Sequence, residues 1–129
     1  MGQQQLLLIV LGVIVVGIAV VVGINVFTAS AKQANIDGVT SDLMNLGSMA
    51  QAHYRKPLAL AGGGNTFTGW AVPLALDTTG NGRYTLTGAS GAQSLVLEGL
   101  GTELGNNGQP IRVLATVTPN NITTVIDNQ

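Results

Sequence analysis

Hydrophobic and polar positions are spread unevenly along this chain. From Leu6 to Phe27 the sequence is almost wholly apolar; Asn25 is the one strongly polar interruption, and the first charged side chain is Lys32. That run of about 22 residues, roughly 33 Å as a helix, is long enough to cross a bilayer. Past Phe27 the pattern turns amphipathic. Ile36, Val39, Leu43, Leu46, Ala50 and His53 recur at three- and four-residue spacing on one face, while Lys32, Asp37, Asp42 and Gln51 lie on or near the others. No proline precedes Pro57, which disfavours helical geometry at Lys56 and so closes the element at about Tyr54. A helix of about 50 residues, roughly 75 Å, exceeds any globule this chain can build, so half of it must protrude.

Gly12, Gly17 and Gly23 punctuate the valine- and isoleucine-rich stretch. They either allow close helix packing or permit local unwinding near Gly17–Gly23, since each costs about 1 kcal/mol of helix propensity. After Pro57, Gly62-Gly63-Gly64 reads as a flexible joint. Strand signals follow at Arg83–Thr87, Ser94–Glu98, Ile111–Val117 and Thr123–Ile126. They are separated by Gly88–Gly91, Gly105–Gly108 and Pro119-Asn120-Asn121, punctuation that predicts an antiparallel meander. The expected fold is α+β: a long N-terminal helix whose C-terminal half packs on a small sheet of about four strands. Its parts are an apolar helix (1–28), an amphipathic continuation (29–56), a glycine-rich connection (57–82) and the sheet (83–129). Ile36, Val39, Leu43, Leu46 and Ala50 should meet Leu86, Leu95, Leu97, Val113 and Val125 or their register partners.

Composition narrows the function. Charged residues make up 9% of the 129, and the formal net charge is −1, so nothing points to a nucleic-acid partner. There is no cysteine, which removes thiol catalysis, disulfides and thiolate metal sites together. The apolar run carries tens of kcal/mol of gross burial energy, at about 1.5–3 kcal/mol per large side chain, and must lie in lipid or against copies of itself. A secretory signal peptide, with Ala29-Ser30-Ala31 as its cleavage site, competes. The run is longer than a usual signal core, however, and no basic residue precedes it.

Candidate chemistry is sparse. His53 is the sole histidine and suits packing or capping at the helix end, as Arg55 and Lys56 suit dipole compensation there. Asp77-Thr78-Thr79-Gly80-Asn81-Gly82 has too few carboxylates for a calcium loop and reads as a turn. Gly62–Gly64 lacks the lysine and helix start of a phosphate loop. The dispersed acids offer no acid–base pair, so no catalytic, metal or cofactor site is expected. Phe67, Trp70 and Tyr84 are read as core anchors ahead of a ligand-stacking patch. Asn121-Ile122-Thr123 is an N-glycosylation acceptor pattern, with Asn121 the possible site.

Met1-Gly2-Gln3-Gln4-Gln5 followed by Leu6-Leu7-Leu8-Ile9-Val10-Leu11-Gly12 resembles the N-terminus of a type IV pilin, in sequence as far as about Asn25 and in architecture beyond it. The resemblance implies a leader cleaved ahead of Met1, an inner-membrane precursor, pilus assembly machinery, and a homopolymeric filament at the cell surface. Gln5 stands where the family usually has glutamate; an amide can hydrogen-bond a neighbour's amine or carbonyl but cannot pair ionically. The filament-core contacts would fall to Met1, Gln5, Leu6, Leu7, Leu8, Ile9, Val10, Leu11, Val13, Ile14, Val16, Ile18, Val20, Ile24 and Phe27. The implied role is a structural major subunit rather than an enzyme. A pseudopilin-like component of a secretion or DNA-uptake apparatus shares this anatomy. A monomeric membrane-anchored binding domain is the reading from a different class.

Overall fold

A chain without proline before residue 57 can hold one uninterrupted helix, and it does. The computed structural model describes residues 2–87 and 91–128. Helix α1 (Gly2–Arg55) has 54 residues and passes unbroken through Gly12, Gly17 and Gly23. A short 3-10 helix (Leu58–Leu60) follows, then strands β1 (Gly82–Leu86), β2 (Leu95–Leu104), β3 (Pro110–Val117) and β4 (Ile122–Asn128). The strands form one antiparallel sheet in the order β1-β2-β3-β4, so the chain is α+β with a four-stranded meander, as the sequence pattern predicts. Contacts divide it into two units, Met1–Ala31 and Lys32–Gln129.

The second unit has a complete core. From α1 come Ile36, Val39, Leu43, Leu46 and Ala50; from the sheet come Tyr84, Leu95, Leu97, Ile111, Val113, Ala115 and Val117. Phe67 and Trp70, from the connection between α1 and β1, complete it, so that segment is part of the core as well as a link. Two glycines set how closely α1 approaches β2. A Cβ at Gly99 would lie 2.7 Å from Val39 Cγ1, and one at Gly101 would collide with Asn35 Oδ1. Glycine within a strand commonly marks such an approach, and here it lets β2 run six residues beyond the expected end at Glu98.

Two expectations need correction. Val125 does not face the helix. It is 58% exposed and pairs with Leu114 on the opposite sheet face, while the β4 positions turned toward α1 include Ile122 and Ile126. A register shift at Arg112/Val113 accompanies this pairing. Leu86, as expected, packs against this core, half-buried at its margin. Gly62-Gly63-Gly64 is a tight fold-back rather than a slack joint: Gly63 N–H donates to the His53 carbonyl (2.7 Å), Gly64 N–H to Lys56 (2.9 Å) and Asn65 N–H to Tyr54 (2.7 Å). These bonds satisfy carbonyls that the end of α1 leaves without helical partners. Gly64 takes a positive φ of 59°, and a Cβ on Gly63 would strike the Thr66 carbonyl, so side chains are excluded there for steric reasons. The expected Gly88–Gly91 separator falls largely on residues 88–90, outside the described residues.

Candidate functional site: an apolar helix without cover

Within the first unit, seventeen large hydrophobic side chains between Leu6 and Phe27 are 53–75% exposed. They occupy every face: Leu6, Leu7, Leu8 and Ile9 alone step around the helix at about 100° per residue. A helix apolar all round belongs in a membrane or in the middle of a larger packed body, because water solvates none of its faces well. By length and composition it can span or anchor in a membrane. Taking about 1.5–3 kcal/mol for full burial of each side chain, the uncovered surface corresponds to tens of kcal/mol of gross association energy. Space is open around the Cβ positions of Gly12, Gly17 and Gly23, so nothing among the described residues presses on these glycines. Gln5 lies within α1 and is exposed; Met1 lies outside the described residues.

The polar chemistry sits in the second unit and ties elements together. Asp42, expected near a solvent face, is half-buried, and its Oδ2 accepts hydrogen bonds from the Tyr84 hydroxyl, Thr79 Oγ1 (2.8 Å) and Asn81 Nδ2 (3.1 Å). Burial alone would raise the Asp42 carboxyl, but the three donors Tyr84, Asn81 and Thr79 outweigh it and hold it below the usual carboxylate value. Burial, and then the hydrogen bond to that carboxylate, push the Tyr84 phenol far above its ordinary value. Nearby, Asn35 does the work of a missing strand partner. Its Oδ1 accepts the backbone N–H groups of Thr102 (3.0 Å) and Glu103 (3.2 Å), where the β2–β3 register shifts between Leu100 and Leu104. Its Nδ2 donates to the Asn81 carbonyl (2.7 Å).

At the other end of this unit's helix, Gln51 Nε2 donates to the Thr118 carbonyl (2.9 Å) and Arg55 to that of Pro119 (3.2 Å), fastening the β3–β4 turn. His53 packs half-buried against Gly63, and its Nε2 makes no hydrogen bond among the described residues. On the sheet face turned from α1, Arg112 bridges Glu98 (2.9 Å) on β2 and Asp127 (2.8 Å) on β4. The Asp77–Gly82 segment is a turn: Thr79 and Gly82 exchange backbone hydrogen bonds, and the Asp77 carbonyl accepts from Tyr84 N–H. Asn121 is exposed at the β3–β4 turn, with Nδ2 3.4 Å from Thr123 Oγ1. The sequence pattern puts Asp42 on a polar face and gives Asn35 no role, because the partners of both lie dozens of residues away. Asn35 did carry one local sign, its place directly beside Ile36 at the edge of the apolar stripe.

No protein-family model, curated protein or solved structure matches this chain.

Proposed function

We propose that this chain is the structural subunit of a type IV pilus-like extracellular filament, polymerising through its N-terminal helix and carrying out no catalysis. The observation that carries the reading is the contrast between the two units. Lys32–Gln129 closes a core of its own, with fourteen buried hydrophobic residues among those described, whereas Leu6–Phe27 leaves its side chains uncovered on every face. A self-sufficient domain needs no such segment for stability, so the segment serves something outside the chain. Copies of the same helix fit the need: each buries its neighbours' aliphatic surface, and the three glycines admit close approach. Before assembly, the same helix would hold the subunit in the membrane. A formal net charge of only −1 suits crowding among identical copies, which self-repulsion would oppose.

The test is deletion of Met1–Phe27. The expected product is a soluble domain that stays monomeric where the full chain yields filaments on shearing. Filaments formed by the truncated chain would contradict the reading. The monomeric membrane-anchor alternative instead expects full-length protein that detergent disperses into single copies and that never yields fibres.

A further inference from the structure

The chain contains two Asn-Gly dipeptides, Asn81-Gly82 and Asn107-Gly108, and the fold treats them differently. Asparagine followed by glycine is the pairing most prone to succinimide formation, because glycine has no side chain to hinder its own backbone nitrogen and adapts readily to the ring geometry. We infer that Asn107, at the tip of the β2–β3 hairpin, is a site of spontaneous deamidation in the folded protein, and that Asn81 is protected.

Asn107 is exposed, and Gly108 takes a positive φ of 78°. Asn107 Oδ1 accepts the Gln109 N–H at 2.9 Å. That bond draws electron density from the amide carbon and supports the oxyanion that forms when the carbon is attacked. The leaving group, Nδ2, makes no hydrogen bond among the described residues. In the reaction, base removes the Gly108 N–H proton and the nitrogen bonds to Asn107 Cγ. The Cγ–Nδ2 bond breaks, and ammonia departs with a proton from solvent. Water then opens the five-membered imide. Attack at Cγ restores the normal backbone with an aspartyl side chain; attack at the backbone carbonyl leaves an isoaspartyl linkage. Water is the only co-reactant. The Gly108 N–H is bonded to the Gly105 carbonyl at 3.1 Å, and that contact, at an exposed tip, opens by local fraying.

Asn81 differs at each of these points. Its Nδ2 donates to Asp42 Oδ2 at 3.1 Å, its carbonyl accepts from Asn35, and Gly82 is buried as the first residue of β1. Reaching the imide there requires breaking the Asp42 network and detaching the edge of the sheet. The chemical consequence at Asn107 is a new carboxylate on a chain whose formal net charge is −1. It would stand in a cleft that Asn107 lines together with Arg112, Asp127 and Asn128. Each aged copy would therefore present an altered charge on this surface.

The full-length chain in mild detergent is incubated at mildly alkaline pH, native in one arm and unfolded in urea in the other. Peptide mass mapping then follows both asparagines, with isoaspartyl detection as a second readout. In urea both sites should convert at comparable rates. In the folded protein Asn107 should convert with aspartyl and isoaspartyl products while Asn81 stays intact, and Asn107→Gln should abolish the signal from that peptide. Equal rates at the two sites in the folded chain would overturn the inference. So would a folded Asn107 as inert as Asn81 while both react in urea.

Discussion

Replacing Asp42 by alanine removes the acceptor shared by Tyr84, Thr79 and Asn81 and so tests whether that carboxylate ties α1 to β1. Hydrogen bonds to a charged group contribute about 1.5–3 kcal/mol, and a buried donor left without a partner costs about 1–3 kcal/mol. Tyr84 is 1% exposed, so its hydroxyl cannot turn to bulk water when Asp42 is lost. Asp42 itself is only half-buried, and water entering the vacated space recovers part of the loss. The expected net destabilisation is about 1–3 kcal/mol. Urea unfolding of the full chain in detergent measures it, followed through Trp70, the sole tryptophan and a core residue. Tyr84→Phe completes a double-mutant cycle, in which the two changes should couple rather than add. The pH dependence has a definite sign. The Asp42 pKa is lowered in the folded state, so its contribution is fully present above the unfolded value near 3.8 and is lost as pH falls through the folded one. The Tyr84 pKa is raised, so its contribution is full below the ordinary value of 10.0 and is lost as pH climbs toward the folded value. Asp42→Asn should flatten the acid limb. An Asp42→Ala protein within about 0.5 kcal/mol of the parent, or strict additivity with Tyr84→Phe, would refute the reasoning.

Two further expectations follow from the packing. Gly99→Val places carbon atoms against Val39, Leu43 and Tyr84, whose nearest atoms already lie 2.7–3.2 Å from an ideal Cβ, and should cost about 1–3 kcal/mol or more in the same unfolding assay. Val113→Thr buries a hydroxyl with no partner provided and should cost about 1–3 kcal/mol, whereas Val125→Thr, at a position 58% exposed, should stay within about 0.5 kcal/mol. The reverse order would overturn the β4 register.

The parts of the fold that were legible in the sequence are those with a local signal. The apolar run, the three-four spacing from Ile36 to Ala50 and the stop at Pro57 placed α1, and glycine- and asparagine-rich punctuation separated four strands. What escaped was set by contacts distant in sequence. The strand expected to end at Glu98 continues through Gly99 and Gly101, whose purpose shows only when α1 is laid over them. In Thr123-Thr124-Val125-Ile126 both neighbours at the apolar end are hydrophobic, so alternation cannot say which faces inward, and a one-residue slip reverses the answer. Gly62–Gly64 has the composition of a slack linker, and only its hydrogen bonds to the end of α1 reveal a cap. The candidate assembly segment was fully visible in the sequence, because it needs no tertiary partner within the chain to define it.

The central claim is that Leu6–Phe27 is buried among copies of itself, and a single charge placed within it tests this most directly. Val16 lies mid-run and is 62% exposed in the isolated chain. An aspartate at the centre of a membrane helix costs about 2.5–3.5 kcal/mol. In a filament every subunit bears that cost, and like charges are brought together along the axis. Membrane-pellet fraction and sheared-filament yield are to be measured side by side for Val16→Asp and Val16→Leu. The account expects Val16→Leu to keep both and Val16→Asp to lose filaments while a reduced share of protein still pellets with membrane. Equal filament yields from the two variants would contradict a packed helical core at this position, and with it the filament reading.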